Sequence, residues 1–443
     1  MPRLFGTDGI RGVANRDLTP DLAVALGRAA GAVLAPQGGS VVVGRDTRVS
    51  GPMLEGALVA GLCSSGVDVL RAGIIPSPGV SFLARDEHAR AGAMISASHN
   101  PIADNGIKFF SDEGLKLAGD VEDAVEAAME TPPLDSLGTG VDVGGVVDVE
   151  DATERYVSHV LASIDGSLDG LKVALDCAYG AAYVAGPAAF EAAGAEVIAL
   201  HDRCDGSRIN VGCGSTSMGA LAASVTDVGA DLGLALDGDA DRVLAVDARG
   251  AVVDGDRILA LSAIRLHDAG KLKGDLVVAT VMSNLGMVRA LAERGIDVVQ
   301  APVGDKFVVE AMLEHGAVLG GEQSGHIVFG EHASTGDGVL TGLQIARAMR
   351  ATGSALHELA ALYEPYPQVL INVPAARKHS LESAEAVWRA VADAERALGT
   401  EGRVLLRASG TEPLVRVMVE AVDERTAETA AGRLADVVRR ELG

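Results

Sequence analysis

Short runs of Val, Ile and Leu alternate along this chain with alanine-rich stretches of helical length, and Gly, Asp or Asn commonly stands at the junctions. That alternation is the signature of βαβ units around buried sheets, and the expected fold class is α/β. One unit runs from a strand at 171–176, through an alanine-rich segment ending near Gly194, to a strand at 196–200. A second comprises 275–280, a helix through 287–291 and a strand at 296–300; a third has strands at 40–43 and 67–70 with a helix between them. The repetition predicts three related α/β domains. Connections rich in Gly, Pro and Asp at 131–145, 247–250 and 363–367 divide the chain, giving expected domains 1–150, 151–250, 251–366 and 367–443. The last reads as a compact α+β module, with strands at 369–373, 404–406 and 414–419, a long amphipathic helix around Trp388 and a final helix.

The 443 residues allow two to four domains at ~100 to 200 residues each. Hydrophobic residues make up 48% and charged residues 22%, ordinary globular usage that excludes a disordered chain or a coiled coil. Thirty-seven Lys and Arg against 61 Asp and Glu leave a formal charge of −24. Such a field repels nucleic acid and anionic membranes, and neither is expected as a partner. Cys63, Cys177, Cys204 and Cys213 include no C-x-x-C pair and read as reduced thiols. The first residues contain no apolar stretch of signal-peptide length, and apolar tracts elsewhere are broken by Arg28 or Glu191 before they could span a bilayer, so the expected location is the cytoplasm.

The densest polar cluster is Asp237-Gly238-Asp239-Ala240-Asp241-Arg242, set between the apolar runs 232–236 and 243–246. Three carboxylates spaced by Gly and Ala can curl around one hard cation, whereas a solvated turn would leave them repelling one another. The calcium loop of helix-loop-helix proteins does not fit, because Arg242 and Ala248 stand where it needs Gly and Glu. A second cluster, Ser96-Ala97-Ser98-His99-Asn100-Pro101, precedes Lys108 and offers a hydroxyl nucleophile with two groups for proton transfer; its alternative is a hydrogen-bonded turn. No G-x-S-x-G elbow occurs, which weighs against a hydrolase. Glu322-Gln323-Ser324-Gly325-His326 follows two glycines and displays groups suited to sugar hydroxyls, or else is an ordinary connecting loop. Arg407-Ala408-Ser409-Gly410-Thr411-Glu412-Pro413, with Arg416 beyond, could nest a dianionic phosphate or form a salt-bridged turn. Neither nucleotide-binding glycine motif is present.

Taken in this order, the four loops resemble the α-D-phosphohexomutase superfamily over nearly the whole chain. Further matches are Phe5-Gly6-Thr7-Asp8-Gly9-Ile10-Arg11-Gly12, Gly44-Arg45-Asp46-Thr47-Arg48 with Ser50-Gly51, and Val303-Gly304-Asp305-Lys306. The F-G-T-D-G-I-R-G start, Cys213-Gly214-Ser215-Thr216, Gln323 and Thr335-Gly336-Asp337-Gly338 are most similar to the superfamily's bacterial amino-sugar branch. The resemblance implies a four-domain architecture, three related α/β domains plus a C-terminal α+β domain around a central cleft, each domain contributing one loop. It implies phosphorylation of Ser98 rather than Ser96, and Mg²⁺ held by Asp237, Asp239, Asp241 and an oxygen of the serine phosphate. Arg11 and Arg242 would steady the phosphoryl oxygens, with Lys108 and His99 as acid/base candidates. Glu322 and Ser324 would hold ring hydroxyls with His326 close by, while Arg407, Ser409, Gly410, Thr411 and Arg416 would clamp the phosphate that is not reacting.

The substrates so implied are small-molecule sugar phosphates. Glucosamine 6-phosphate would become glucosamine 1-phosphate through a glucosamine 1,6-bisphosphate, on the way to UDP-N-acetylglucosamine and peptidoglycan; a homodimer is left open. Tyr179 stands where the superfamily commonly has Asn, and Lys306 where it commonly has Arg, whose two-pronged contact Lys cannot make. The competing readings are a phosphomannomutase/phosphoglucomutase specificity, a metal-dependent phosphatase with Asp237 or Asp239 as nucleophile, and a catalytically silent sugar-phosphate sensor.

Overall fold

Val41, Val42 and Val43 are all fully buried on the strand Ser40–Arg45, as expected where both faces of a parallel sheet are covered. In the computed structural model, which describes residues 3–6, 8–131, 137–409 and 413–443, this strand pairs in parallel with Asp68–Ile74 on one side and Ala91–Ile95 on the other. Ala91–Ile95 then pairs antiparallel with Asp104–Ser111, which pairs antiparallel with Ile10–Val13. The strand Val146–Asp148 closes the opposite edge.

The second sheet repeats this plan. Lys172–Asp176 lies between Glu196–Leu200 and Leu232–Leu236 in parallel, and Leu232–Leu236 turns back antiparallel into Val243–Asp247. The two-residue strand Val252–Val253 completes it, so this sheet runs past the expected boundary at 250 because Val246 still needs a ladder partner, Val252. The third sheet has the order Asp297–Ala301, Leu276–Thr280, Leu319–Gly321, Ile327–Phe329. All three sheets therefore share one strand order: second, first, third, fourth of the repeat. In each, the third and fourth strands form an antiparallel hairpin, with Ile95 opposite Ile107, Leu236 opposite Val243 and Gly321 opposite Ile327. The hairpin connections are the serine loop, the D-G-D-A-D-R loop and the E-Q-S-G-H loop, the first three clusters singled out in the sequence.

By contact the chain divides into two compact units, Met1–Thr280 with Val299–Ala360, and Val281–Val298 with Ala361–Gly443. The second unit has an antiparallel sheet in the order Gln368–Pro374, Leu414–Ala421, Gly402–Ala408. Val373, Val415, Val417 and Val419 pack with Val387, Val391, Leu434 and Val438 of the helices Glu385–Leu398 and Glu424–Leu442. The helix Leu285–Ala292 follows the strand Leu276–Thr280 in sequence, yet it groups with this unit. Buried Glu420 explains this: it accepts from Leu285 N at 3.2 Å and pairs with Arg403, which in turn donates to the carbonyl of Ser283.

Candidate active site

After Ile95 the chain leaves the first sheet and turns sharply at Ser98, which has φ +50° and is almost fully buried. Ser98 Oγ donates to Asp237 Oδ2 at 2.5 Å and lies 3.3 Å from His99 Nδ1. Ser96 faces the other way: its Oγ accepts from Ser98 N at 2.9 Å and donates to Asp46 at 2.6 Å. The geometry thus points Ser98 Oγ at the acidic loop and ties Ser96 into the turn. Gly238 lies against the Ser98 carbonyl so closely that a Cβ there would sit 2.4 Å from that oxygen, which is why the acidic loop needs glycine between its first two carboxylates.

Asp237, Asp239 and Asp241 are all buried and bring ligand oxygens within 4.8 Å of one another. Ser77 Oγ donates to Asp239 Oδ2 at 2.5 Å, and Lys108 Nζ donates to Asp239 Oδ2 at 2.7 Å and Asp241 Oδ2 at 3.1 Å. The opposite oxygens, Asp239 Oδ1 and Asp241 Oδ1, are buried with no hydrogen-bond partner. Burial, with the neighbouring Asp241 and Asp239 carboxylates, pushes the Asp237 carboxyl up to about 8. An all-oxygen donor set with unspent buried lone pairs fits a hard divalent cation such as Mg²⁺.

Cationic groups surround the cluster. Burial alone would lower the Lys108 ammonium, but Asp239, Asp8 and Asp241 hold it well above the ordinary lysine value, so it stays charged. Arg11 pairs with Asp8 and donates to Ala97 O and Asn100 Oδ1. Arg242 Nη1 donates to His99 Nδ1 at 2.8 Å. Burial, then Arg242 and Arg11, push the His99 imidazole down to about 4, leaving it neutral near pH 7. Arg11 Nε and Arg242 Nε are buried without hydrogen-bond partners, donors left over for an incoming anion.

The sugar-loop residues divide. Glu322 is buried, its Oε1 accepting from Gly304 N at 3.0 Å and its Oε2 from Ser324 Oγ at 3.4 Å. His326, expected close to Glu322 and Ser324, is fully buried, with Nε2 accepting from Gly336 N at 3.0 Å and Nδ1 directed at Asp241 Oδ1 at 3.7 Å. A Cβ at Gly336 would lie 2.5 Å from the ring, so the glycine admits the imidazole behind the acidic loop. Lys306 is likewise tied back, its Nζ donating to buried Glu122 at 3.1 Å.

In the second unit, Arg407 and Arg416 are directly opposite each other on neighbouring strands. Burial and the Arg416 charge lower the Arg407 guanidinium, a like-charge pair that an anion would relieve. Ser409 N donates to Leu414 O at 2.9 Å, and Lys378 Nζ donates to Ser409 O at 2.7 Å. The expected phosphate ligands Gly410 and Thr411 lie outside the described residues.

Several residues at the site were not singled out individually from the sequence. Lys116 bridges Asp8 and Asp305, joining the first and third domain segments; both aspartates sit within quoted motifs, and that was the available signal. Ser77 and Asn210 carried none, because single polar residues in ordinary turns have no distinctive spacing.

Four signatures of one protein family match the chain: phosphoglucomutase/phosphomannomutase alpha/beta/alpha domain I at residues 2–134, domain II at 154–250, domain III at 254–366 and the C-terminal domain at 370–437. A phosphoglucosamine mutase of Streptomyces griseus is 54% identical over 452 residues, covering 100% of both chains. One of Moorella thermoacetica is 54% identical over 432 residues, covering 97% of each. Among solved structures, a phosphoglucomutase/phosphomannomutase family protein of Burkholderia thailandensis superposes with a TM-score of 0.81 at 26% identity, covering 99% of this chain and 96% of that one. An Aspergillus fumigatus N-acetylphosphoglucosamine mutase, solved with GlcNAc-6P and magnesium, shares the fold at a TM-score of 0.71 and 18% identity, covering 99% of this chain and 95% of its own.

Proposed function

The chain belongs to the phosphoglucomutase/phosphomannomutase family, and on that premise we propose that it interconverts glucosamine 6-phosphate and glucosamine 1-phosphate with Ser98 as the phosphoryl carrier. The observation that carries the chemistry is the set of buried groups near Ser98 without hydrogen-bond partners: one oxygen each of Asp239 and Asp241 and the Nε–H groups of Arg11 and Arg242. The amino-sugar specificity rests on the full-length similarity to phosphoglucosamine mutases.

In the forward direction the 1-hydroxyl of glucosamine 6-phosphate attacks the phosphorus of phospho-Ser98. The new O–P bond forms as the Ser98 Oγ–P bond breaks, and the hydroxyl proton leaves to a neighbouring base. The resulting glucosamine 1,6-bisphosphate turns over within the site and returns its 6-phosphoryl group to Ser98 Oγ, releasing glucosamine 1-phosphate. Arg11 and Arg242, each with a buried Nε–H that has no hydrogen-bond partner, would steady the oxygens on which charge accumulates, and buried Lys108 keeps its positive charge. Asp237, Asp239 and Asp241 would hold Mg²⁺ with a phosphoserine oxygen, and the ion would neutralise charge on the transferring group. Glu322 and Ser324 contact ring hydroxyls; Arg407, Arg416 and Ser409, with Gly410 and Thr411, take the phosphate that is not transferring. The product feeds the amino-sugar nucleotide needed for peptidoglycan.

³¹P NMR with Mg²⁺ and a trace of sugar bisphosphate tests this reading. Wild type should form glucosamine 1-phosphate, turn over glucose and mannose 1-phosphates more slowly, and lose the reaction in Ser98→Ala. Faster turnover of glucose or mannose phosphates would move the specificity to the phosphoglucomutase/phosphomannomutase side. Release of inorganic phosphate alone would overturn the mutase.

A further inference from the structure

Ser98 holds a left-handed backbone conformation that residues other than glycine, Asn and Asp enter rarely, at a cost of ~1–3 kcal/mol met by surrounding contacts. Those contacts converge on its carbonyl. Arg48 Nη2 donates to Ser98 O at 2.9 Å, and Asn210 Nδ2 donates to the same oxygen at 2.8 Å. The fully buried Arg48 guanidinium spends its other Nη donors along the same connection: Nη2 also reaches Asn100 O at 2.9 Å, and Nη1 reaches Pro101 O at 2.6 Å and Asp104 O at 2.9 Å, while Nε pairs with Asp46 Oδ2 at 3.0 Å. Five N–H groups thus meet five acceptors, four of them backbone carbonyls of the loop that carries the nucleophile. Asn210 arrives from the second domain segment, is itself left-handed at φ +60°, and is tied by its N–H to Ala178 O at 3.1 Å.

We propose that Arg48 and Asn210 are positioning residues that clamp the Ser98 carbonyl and so aim Ser98 Oγ at the aspartate cluster. The inference rests on the reading of Ser98 as the phosphoryl carrier and adds to it the groups that hold the carrier in place. Neither side chain is placed against the sugar or the phosphoryl group. With the carbonyl fixed from two sides and Gly238 packed against it, the peptide cannot relax to an ordinary right-handed turn, and Oγ stays 2.5 Å from Asp237.

Single-turnover transfer from the phosphorylated enzyme to glucosamine 6-phosphate, measured beside KM and the thermal midpoint, tests the clamp. Asn210→Ala should slow transfer by about 10- to 100-fold, the size expected for a nucleophile displaced by a fraction of an ångström, with KM and the midpoint close to wild type. Asn210→Asp, with the same shape but an acceptor in place of the donor, should be slower still. Arg48→Lys, whose single ammonium cannot reach all five acceptors, should fall in the same direction. Transfer within about twofold of wild type in a folded Asn210→Ala, or Asn210→Asp no slower than Asn210→Ala, would overturn the clamp. If instead Ser98→Ala itself remains active, the carrier assignment fails, and that outcome is distinct from loss of the clamp.

Discussion

At Gly238 the backbones of two loops from different domain segments come close. Its missing side chain lets the acidic loop close on the Ser98 carbonyl, so Gly238→Ala should push Asp237 away from Ser98. The expected cost is ~1–3 kcal/mol of stability from overpacking, read from the denaturation midpoint, and a loss of turnover of at least about tenfold. Unchanged turnover would show that the loops do not need this approach. The chemistry-bearing side chains here were legible in the sequence because their types and spacing are unusual: three acids separated by Gly and Ala, and a Ser-His pair before Lys108. Arg48 and Asn210 were not legible as clamps, since their partners are backbone carbonyls brought near by folding. His326 stands in a glycine-flanked loop, and its sequence pattern does not show what its ring meets. In the structure Gly336 makes room for the imidazole behind Asp241.

Among the secondary-structure elements, the repeated hairpin organises the site. Strands were legible from their apolar runs, with shifted ends: the run read at 67–70 is the strand Asp68–Ile74. No local pattern records the contact between residues 98 and 237; only the family resemblance, by setting the Ser98 phosphate and the three aspartates on one ion, brought those hairpin tips together. Thr335-Gly336-Asp337-Gly338 braces the acidic loop from below, with Gly338 N donating to Ala240 O at 2.9 Å. Asp337 begins the helix Gly338–Thr352, accepting from Leu340 N and from the buried Tyr156 hydroxyl, both at 2.9 Å. Burial pushes its carboxyl from 3.8 up to about 6. The folded state therefore holds this proton more tightly than the unfolded one. Its contribution to stability is full below about pH 4 and is lost as pH rises through about 6. Asp337→Asn keeps both accepted bonds without the charge, so denaturant unfolding from pH 4 to 7 should show the variant gaining on wild type across that window. A constant difference between the two would refute the assignment.

For the whole molecule, the excess of carboxylates makes cation binding consequential. A divalent ion that binds only the folded state stabilises it by mass action, by about 2.7 kcal/mol at a hundredfold excess over Kd. Added Mg²⁺ should raise the thermal midpoint, EDTA should reverse the rise, and Asp239→Asn should abolish most of it while remaining folded. Equal shifts in wild type and variant would place the ion elsewhere. Division into an α/β region and a C-terminal α+β module was legible from the alternation and the Pro-rich connection at 363–367. The grouping of residues 281–298 with the C-terminal unit was not, because it depends on buried Glu420 meeting Leu285 and Arg403.

The central claim is that Ser98 carries the phosphoryl group. Dephosphorylated wild type should be loaded with glucosamine 1,6-bisphosphate and Mg²⁺, quenched in acid and mapped by peptide mass spectrometry. An acid-stable phosphate on Ser98 is predicted, absent from Ser98→Ala and drawn off by excess glucosamine 6-phosphate as glucosamine 1,6-bisphosphate. An acid-labile phosphate on Asp237 or Asp239, or full activity in Ser98→Ala, would contradict it.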